Sequence, residues 1–506
     1  MAIQSKGVTF SRHLPVAPSV GSGNTVGPQV NNSEDLTPWS PTASDPWDAA
    51  KAAHLFRRAG FGATPDELVG AVAIGHSRMI DTFLLAPGWT IPTQGTYMLP
   101  DTGEIVNLNT TAGSIAAWLF LMNYSSFPLT EKMSLFWHDH FATGVNKVRY
   151  SNLMGDQINV FRRHGLRNFR TLLIEISKDS AMLLWLDNYL NRNGKPNENY
   201  AREIFELFSM GVTGPYSEKD IQEAARALTG WTTTLGTSYF SQGTHDTGLK
   251  VVLGKQILNG TGPGGARDLE DLVDIILNTS ATSKYMVRKI WEYFVYESPS
   301  QALVDKLAAR WVKDNYDIRA LMEVIFRSKA FYSASAMGAL VKNPVEYMVG
   351  AVRNLAQKSV AYGRINNRLN PLYRLLDYDN PAGLSDGIAW IDSQALVNRT
   401  NYARDMVQQG NSYIRYLYRG LPYLPRMDVL AIVKKYNLTT PTLIVDFFLD
   451  HLTTKAPPSQ VRANLIKFMT SDNGSTTFTW NESQHAQRKG AGLIHLILAL
   501  PEAQLN

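Results

Sequence analysis

Pro196-Asn-Glu-Asn-Tyr-Ala-Arg-Glu-Ile-Phe-Glu-Leu-Phe-Ser-Met-Gly211 is the stretch whose reading decides the fold. Tyr200, Ile204, Leu207 and Phe208 recur at three- and four-residue spacing, which puts them on one face of a helix. Gly211 is placed to close that helix as a left-handed C-cap. The helix is therefore expected to be buried. Yet Glu198, Asn199, Arg202, Glu203 and Glu206 share its turns, and carboxylates are almost never fully buried unless paired, hydrogen-bonded or bound to a metal. Glu198 with Arg202, and Arg202 with Glu206, are i,i+4 pairs that an internal ion network explains. Glu203 and Glu206, three apart on one face, are less easily explained that way and are the leading functional carboxylates. Asn199 and Arg202 beside them are candidate substrate-binding groups.

Outward from this stretch the pattern is helix after helix. Ala49 to Arg58 is amphipathic, and Thr64-Pro65-Asp66-Glu67 opens the next helix with an N-cap, a first-turn proline and a Glu three residues on. Helices are predicted at 77–86, 112–124, 130–140, 149–163, 168–178 and 180–188, with a small hairpin around Pro100-Asp101-Thr102-Gly103. Ser217-Glu218-Lys219-Asp220 is a second capping box. Residues 231–265 alternate Thr, Tyr, Phe, Val and Gly and suit short strands in a surface excursion. Helices resume at 267–278 and continue to 483–499. The expected fold is mainly α, a large multi-helix unit with a small β and loop excursion. An arm at 1–46 rich in Ser, Gly, Pro and Asn precedes a main domain at 47–385, and a helical bundle at 386–506 packs on it.

The 506 residues, 44% hydrophobic and 18% charged, have ordinary globular composition and allow a large core. Net charge is +5 and pI near 9.0, without a basic run or an aromatic-basic alternation, so nucleic-acid binding is not expected. No stretch reaches the ~18 apolar residues of a membrane span. The absence of cysteine removes disulfides, thiolate nucleophiles, iron–sulfur clusters, c-type haem and Cys-ligated zinc, so any metal must use His, Asp, Glu or backbone oxygen. The arm shows no charged n-region followed by an apolar h-region. Either the protein stays in the cytoplasm, or an export signal has been removed ahead of it.

Phe136-Trp-His-Asp-His-Phe-Ala-Thr-Gly144 is the second informative stretch. In a regular helix His138 and His140 diverge by roughly 200°. A frayed last turn before Thr143-Gly144 would let both imidazoles join Glu206 around zinc, iron or manganese with a position open for water. Alternatively the two histidines compensate the negative end of the helix. His245 and Asp246 lie in a Gly-rich loop, where catalytic groups often sit, although an Asx-type turn explains them too. His164, behind Arg162 and Arg163, reads as a helix-end cap. Trp137, Trp185, Trp231 and Trp390 read mainly as core, and a Trp beside carboxylates also suits a sugar ring. Trp137 and Trp231 are the candidates for that role. His-Glu-x-x-His, Gly-x-Ser-x-Gly, P-loop, EF-hand and Rossmann signatures are all missing.

These segments together resemble a bacterial family known as domain of unknown function 1800. The carriers are His54-Leu-Phe-Arg-Arg-Ala-Gly-Phe-Gly62, Trp137-His-Asp-His-Phe-Ala-Thr143, Asn197-Glu-Asn-Tyr-Ala-Arg-Glu203, Ala225-Arg-Ala-Leu-Thr-Gly-Trp231, His245-Asp246 with Lys250, and Lys342-Asn-Pro-Val-Glu346. The resemblance spans nearly the whole chain. Ile204-Phe205 and the closing Pro501-Glu-Ala-Gln504 depart from the family pattern only in packing. Members look like exported proteins, which favours a removed signal here, and the resemblance implies no activity.

The first functional expectation is a metal-assisted hydrolase acting on an extracellular glycan or other polymer, with His138, His140 and Glu206 on the ion and Glu203, Asp139, His245 and Asp246 moving protons. A metal-free variant uses a carboxylate pair in the manner of glycosidases. The alternatives are a non-catalytic surface or assembly protein whose polar motifs are buried networks, or a non-haem metal oxidoreductase on the same ligands.

Overall fold

A computed structural model of the chain describes residues 34–506 except 87, 101–102, 104, 260–261, 357–373, 385–386, 408–427 and 473–478. The expected arm lies outside the described residues as far as residue 33. Its last part, from Glu34, is fastened to the body: Ser300 N donates to Glu34 Oε1 at 2.9 Å, Trp39 N donates to Arg327 O at 2.7 Å, and the Trp39 ring stacks among Trp47, His76 and Tyr332.

The architecture is mainly α. Helix α1 (Ala49–Arg58) and helix α2 (Pro65–Ile74) begin where their caps predict, α2 with the full Thr64/Glu67 capping box. After α3 (His76–Phe83), α4 (Thr111–Tyr124) and α5 (Pro128–His140) enter the interior. Every residue of α5 from Leu129 to His140 except Asp139 is buried. A helix buried on all sides must satisfy its own polar groups inside the protein. Glu131 does so with Arg162, which donates through Nε at 3.0 Å and through Nη2 at 3.1 Å, and with the Trp118 indole at 3.0 Å. Lys132 is ion-paired with Glu346.

The next pair of helices shows where local patterning stops short. The helix expected at 149–163 begins at Ser151 as α7 (Ser151–His164), because Arg149, whose φ is 68°, closes a separate short helix α6 (Val145–Val148) before it. The one expected at 180–188 ends as α9 (Ser180–Trp185), following α8 (Phe169–Lys178), because Asp187 adopts a left-handed conformation. The helix of the deciding stretch is α10 (Asn199–Glu206). Beyond it Met210 N reaches back to Phe205 O at 2.9 Å, and Gly211 takes φ 82°, a left-handed closure.

Helix α11 (Glu218–Ala227) opens on the Ser217/Asp220 capping box. Three two-stranded antiparallel hairpins follow the expected places: 96–98 with 105–107, 231–234 with 237–240 (Trp231 opposite Phe240), and 250–252 with 255–257. Helices α12 (Asp268–Leu277), α13 (Ser280–Phe294), α14 (Gln301–Lys313) and α15 (Ile318–Arg327) lead to α16 (Pro344–Asn354), the second helix buried along its whole length. In the last stretch α21 (Glu482–Leu498) lies against α17 (Ser393–Val407), α18 (Val429–Lys435), α19 (Pro441–Leu452) and α20 (Ser459–Thr470). One hydrophobic core runs from Trp39 to Leu498. The chain end returns to α16, with Lys342 N donating to Gln504 O at 2.8 Å and Asn506 N to Leu340 O at 2.7 Å. No described helix is long and apolar enough to cross a membrane.

Removing one partner of the Arg162–Glu131 pair strands the other in the buried interior. Arg162→Met should cost about 3–5 kcal/mol in denaturant unfolding, and Glu131→Leu with Arg162→Met should recover a large part of it. Equal losses for single and double variants would contradict this account.

Candidate functional site

Helix α5 stays regular to its end, so its last residues fan out. His138 points toward the 374–384 segment: its Nε2 accepts from Leu376 N at 3.0 Å, its ring lies 4.7 Å from Tyr378, and burial pushes its pKa down to about 3. The imidazole is neutral, with the proton on Nδ1. His140 points the other way, with Nε2 3.2 Å from Phe208 O, and burial together with the Lys289 charge holds its pKa well below the usual value. That bond puts the proton on Nε2 and leaves the buried Nδ1 as an acceptor with no partner among the described residues. Asp139, between them, is half-buried and accepts from Leu384 N at 3.0 Å.

The two informative stretches of sequence do meet, but through a main-chain carbonyl rather than carboxylates. Glu206 pairs with Arg202 at 3.2 Å, and Arg202 makes a two-point contact with Glu218 at 2.9 and 2.7 Å. Burial, and then the Glu206 charge, push Glu203 up to about 7, with Arg202 pulling the other way. Among the described residues no three His, Asp or Glu side chains gather as a metal-binding group, so His138, His140 and Glu206 are not brought together as one.

His245 and Asp246 belong to a separate, closed network. His245 Nδ1 is 2.8 Å from Thr229 O, its Nε2 3.3 Å from Asp268, and Lys250 donates to Asp268 at 2.6 Å. Asp268 has no exposure. Its burial favours the neutral acid, but bonds from His245, Lys250 and Asn259 outweigh that and hold its pKa below the carboxylate range. Arg226 grips Asp246 at 2.8 and 3.2 Å. Trp137 is fully buried and donates to Gly165 O at 2.9 Å, while Trp231 is half-buried with Lys178 5.2 Å over its ring. Asn199 is exposed. With Asn197, Glu198, Tyr189 and Tyr239 it lines an open groove of about 790 Å³.

What His140 and Asp139 do share is a cleft of about 340 Å³, inside the range of small-ligand sites. Four carboxylates line it: Asp139, Glu292, Glu297 and Glu346. Lys289, Tyr293 and Trp390 complete the polar and aromatic wall. Lys289, Glu292, Tyr293 and Tyr296 recur at helical spacing along and just beyond α13, opposite the buried Met286, Ile290 and Phe294. That polar stripe was readable as a face, though nothing local says it borders a cavity. Two glycines press on cleft carboxylates from the 383–390 side. Gly383 (φ 77°) runs so near Asp139 that a Cβ would sit 2.9 Å from its Oδ1, and a Cβ at Gly387 (φ 64°) would strike the Glu297 carboxylate. Only glycine fits where a left-handed backbone comes this close.

The family model described as "Protein of unknown function (DUF1800)" matches residues 54–505. No curated protein and no solved structure matches the chain.

Glu203 gives a pH signature. Its folded pKa of about 7 lies above the ordinary 4.5, so the folded state holds the proton more tightly and stability falls as pH rises from about 4.5 to 7. Glu203→Gln should therefore melt higher than the parent at pH 8, with the gap closing toward pH 4. A gap that does not change with pH would refute the assignment.

Proposed function

Since the chain belongs to the DUF1800 family, whose description carries no activity, its chemistry has to be read from the site, and we propose a hydrolase that cleaves an extracellular glycan or related polymer in the cleft beside His140. The observation that carries this reading is the gathering of Asp139, Glu292, Glu297 and Glu346 with Trp390 and Tyr293 around one small-ligand cleft. Hydrolysis of a glycosidic bond needs one carboxylate to donate a proton to the leaving oxygen and another to act as base or nucleophile. Asp139, oriented by the Leu384 N–H that donates to it, takes the role of base or nucleophile. The proton donor comes from Glu292 or Glu297. Trp390 and Tyr293 offer apolar faces to a sugar ring.

This reading works through carboxylates alone. A divalent ion, zinc, iron or manganese, would be held in the same cleft by Asp139 and the neighbouring carboxylates, and its contribution would be an activated water. Elemental analysis separates the two versions: one equivalent of metal, lost in Asp139→Ala, selects the metal-assisted one.

Asp139→Asn keeps the oxygen that receives the Leu384 N–H but removes the charge. Reducing-end release from a panel of bacterial polysaccharides should fall about 100- to 10,000-fold with the melting temperature kept. Unchanged release would rule out the cleft as the reacting centre.

A further inference from the structure

Behind the floor of the cleft lies a concentration of buried positive charge. Arg57 and Arg58 come from α1, Lys132 from α5, Lys342 from the turn before α16, and Arg399 from α17; none is more than 8% exposed. Among the described residues Glu346 is the one carboxylate they interact with. It is already engaged by Lys132, by Asn343 N at 2.9 Å and by Asn506 Nδ2 at 2.8 Å. Outside the described residues only Asp101, Glu104 and Asp386 are acidic. Five cations therefore face one carboxylate. With Lys342 counted as neutral, the sum is still three positive charges.

Carbonyl oxygens satisfy part of the hydrogen bonding. Arg58 Nη2 donates to Ala336 O at 2.8 Å, Arg399 Nη2 to Lys342 O at 2.7 Å, and Lys342 Nζ to Ala503 O at 2.8 Å. Carbonyls bring no net charge, and several donors still lack a partner: Arg57 Nε, Arg58 Nε and Nη1, and Arg399 Nε. Burial pushes the pKa of Arg58 down to about 9, and burial with repulsion from Arg57 pushes Lys342 down to about 7. A buried ion costs several kcal/mol unless an opposite charge meets it. Arginine forks with free N–H groups are the usual protein answer to an oxyanion. The site is also near an entrance, because Leu340, Val341, Asn343 and Glu346 line the cleft while Lys342 among them turns inward.

We infer that the cluster of Arg57, Arg58, Lys132, Lys342 and Arg399 binds a tetrahedral oxyanion, phosphate or sulfate, either as a free ion or as a group on a larger molecule. This inference does not rest on the hydrolase reading, since it needs only the uncompensated charge. The planar guanidinium groups supply paired donors, and Lys342 supplies a point charge. Bound anion raises stability because it neutralises charge that exists only in the folded arrangement.

The test uses the full chain dialysed into a chloride buffer, with sodium phosphate, sodium sulfate and glucose 6-phosphate added at matched ionic strength. Phosphate or sulfate at a hundred times its dissociation constant should raise the melting temperature by about 2–3 °C. Equilibrium dialysis with radiolabelled phosphate should give about one ion per chain. Tighter binding of glucose 6-phosphate assigns the site to a phosphate group on a larger molecule, and tighter binding of inorganic phosphate assigns it to the free ion. Lys342→Met should lose the shift, whereas Lys289→Met, in the cleft wall, should keep it. Absence of any shift and of bound phosphate overturns the inference, as does loss in Lys289→Met with retention in Lys342→Met. If Lys342→Met does not fold, the dialysis stoichiometry of the parent decides alone.

Discussion

The ion pair between Lys132 and Glu346 joins parts of the chain 214 residues apart and fixes most of what surrounds it. Both helices are buried along nearly their whole length, so breaking the pair would leave either charge poorly solvated. Glu346 also completes the cap of its own helix through Asn343 and receives Asn506 from the chain end. One carboxylate thus holds α5, α16 and the C-terminal residues in register. Its two faces then acquire different roles: one borders the cleft, and the other is, among the described residues, the one negative charge against a set of buried cations.

The same constraint explains the end of α5. Because the helix is locked from Glu131 and Lys132 onward, it stays regular as far as His140, and regular geometry separates the two imidazoles. Each is pinned by a main-chain group, His138 by Leu376 N and His140 by Phe208 O. Asp139 is the residue left facing the cleft. Its position is set by two anchored neighbours and by Gly383 pressing from the other side.

Much of the architecture was legible because helix ends carry local chemistry. Thr64, Ser217 and Pro441 mark starts that a reader can place to the residue, and Gly211 marks a stop with the backbone sign that glycine implies. The stops at Arg149 and Asp187 were not legible, since a left-handed non-glycine residue is imposed by its surroundings. The candidate site was legible only in part. Asp139 and His140 could be singled out from their own segment, but Glu292, Glu297 and Glu346 are ordinary surface-pattern residues until the fold brings them together. Of the two carboxylates singled out on the central helix, Glu203 has a raised pKa while Glu206 is paired with Arg202, and their helix meets His140 through a carbonyl. His245 and Asp246 looked like loop residues free to act, and are tied into Asp268, Lys250 and Arg226.

Substrate contact with the cleft is the claim on which the functional account stands. Carbodiimide labelling of carboxylates, read by mass spectrometry with and without a mixture of bacterial oligosaccharides, addresses it directly. The account predicts that Asp139, Glu292 and Glu297 lose label while Glu198, in the groove lined by Asn197 and Asn199, does not. Protection of Glu198 with the cleft carboxylates fully labelled would contradict it.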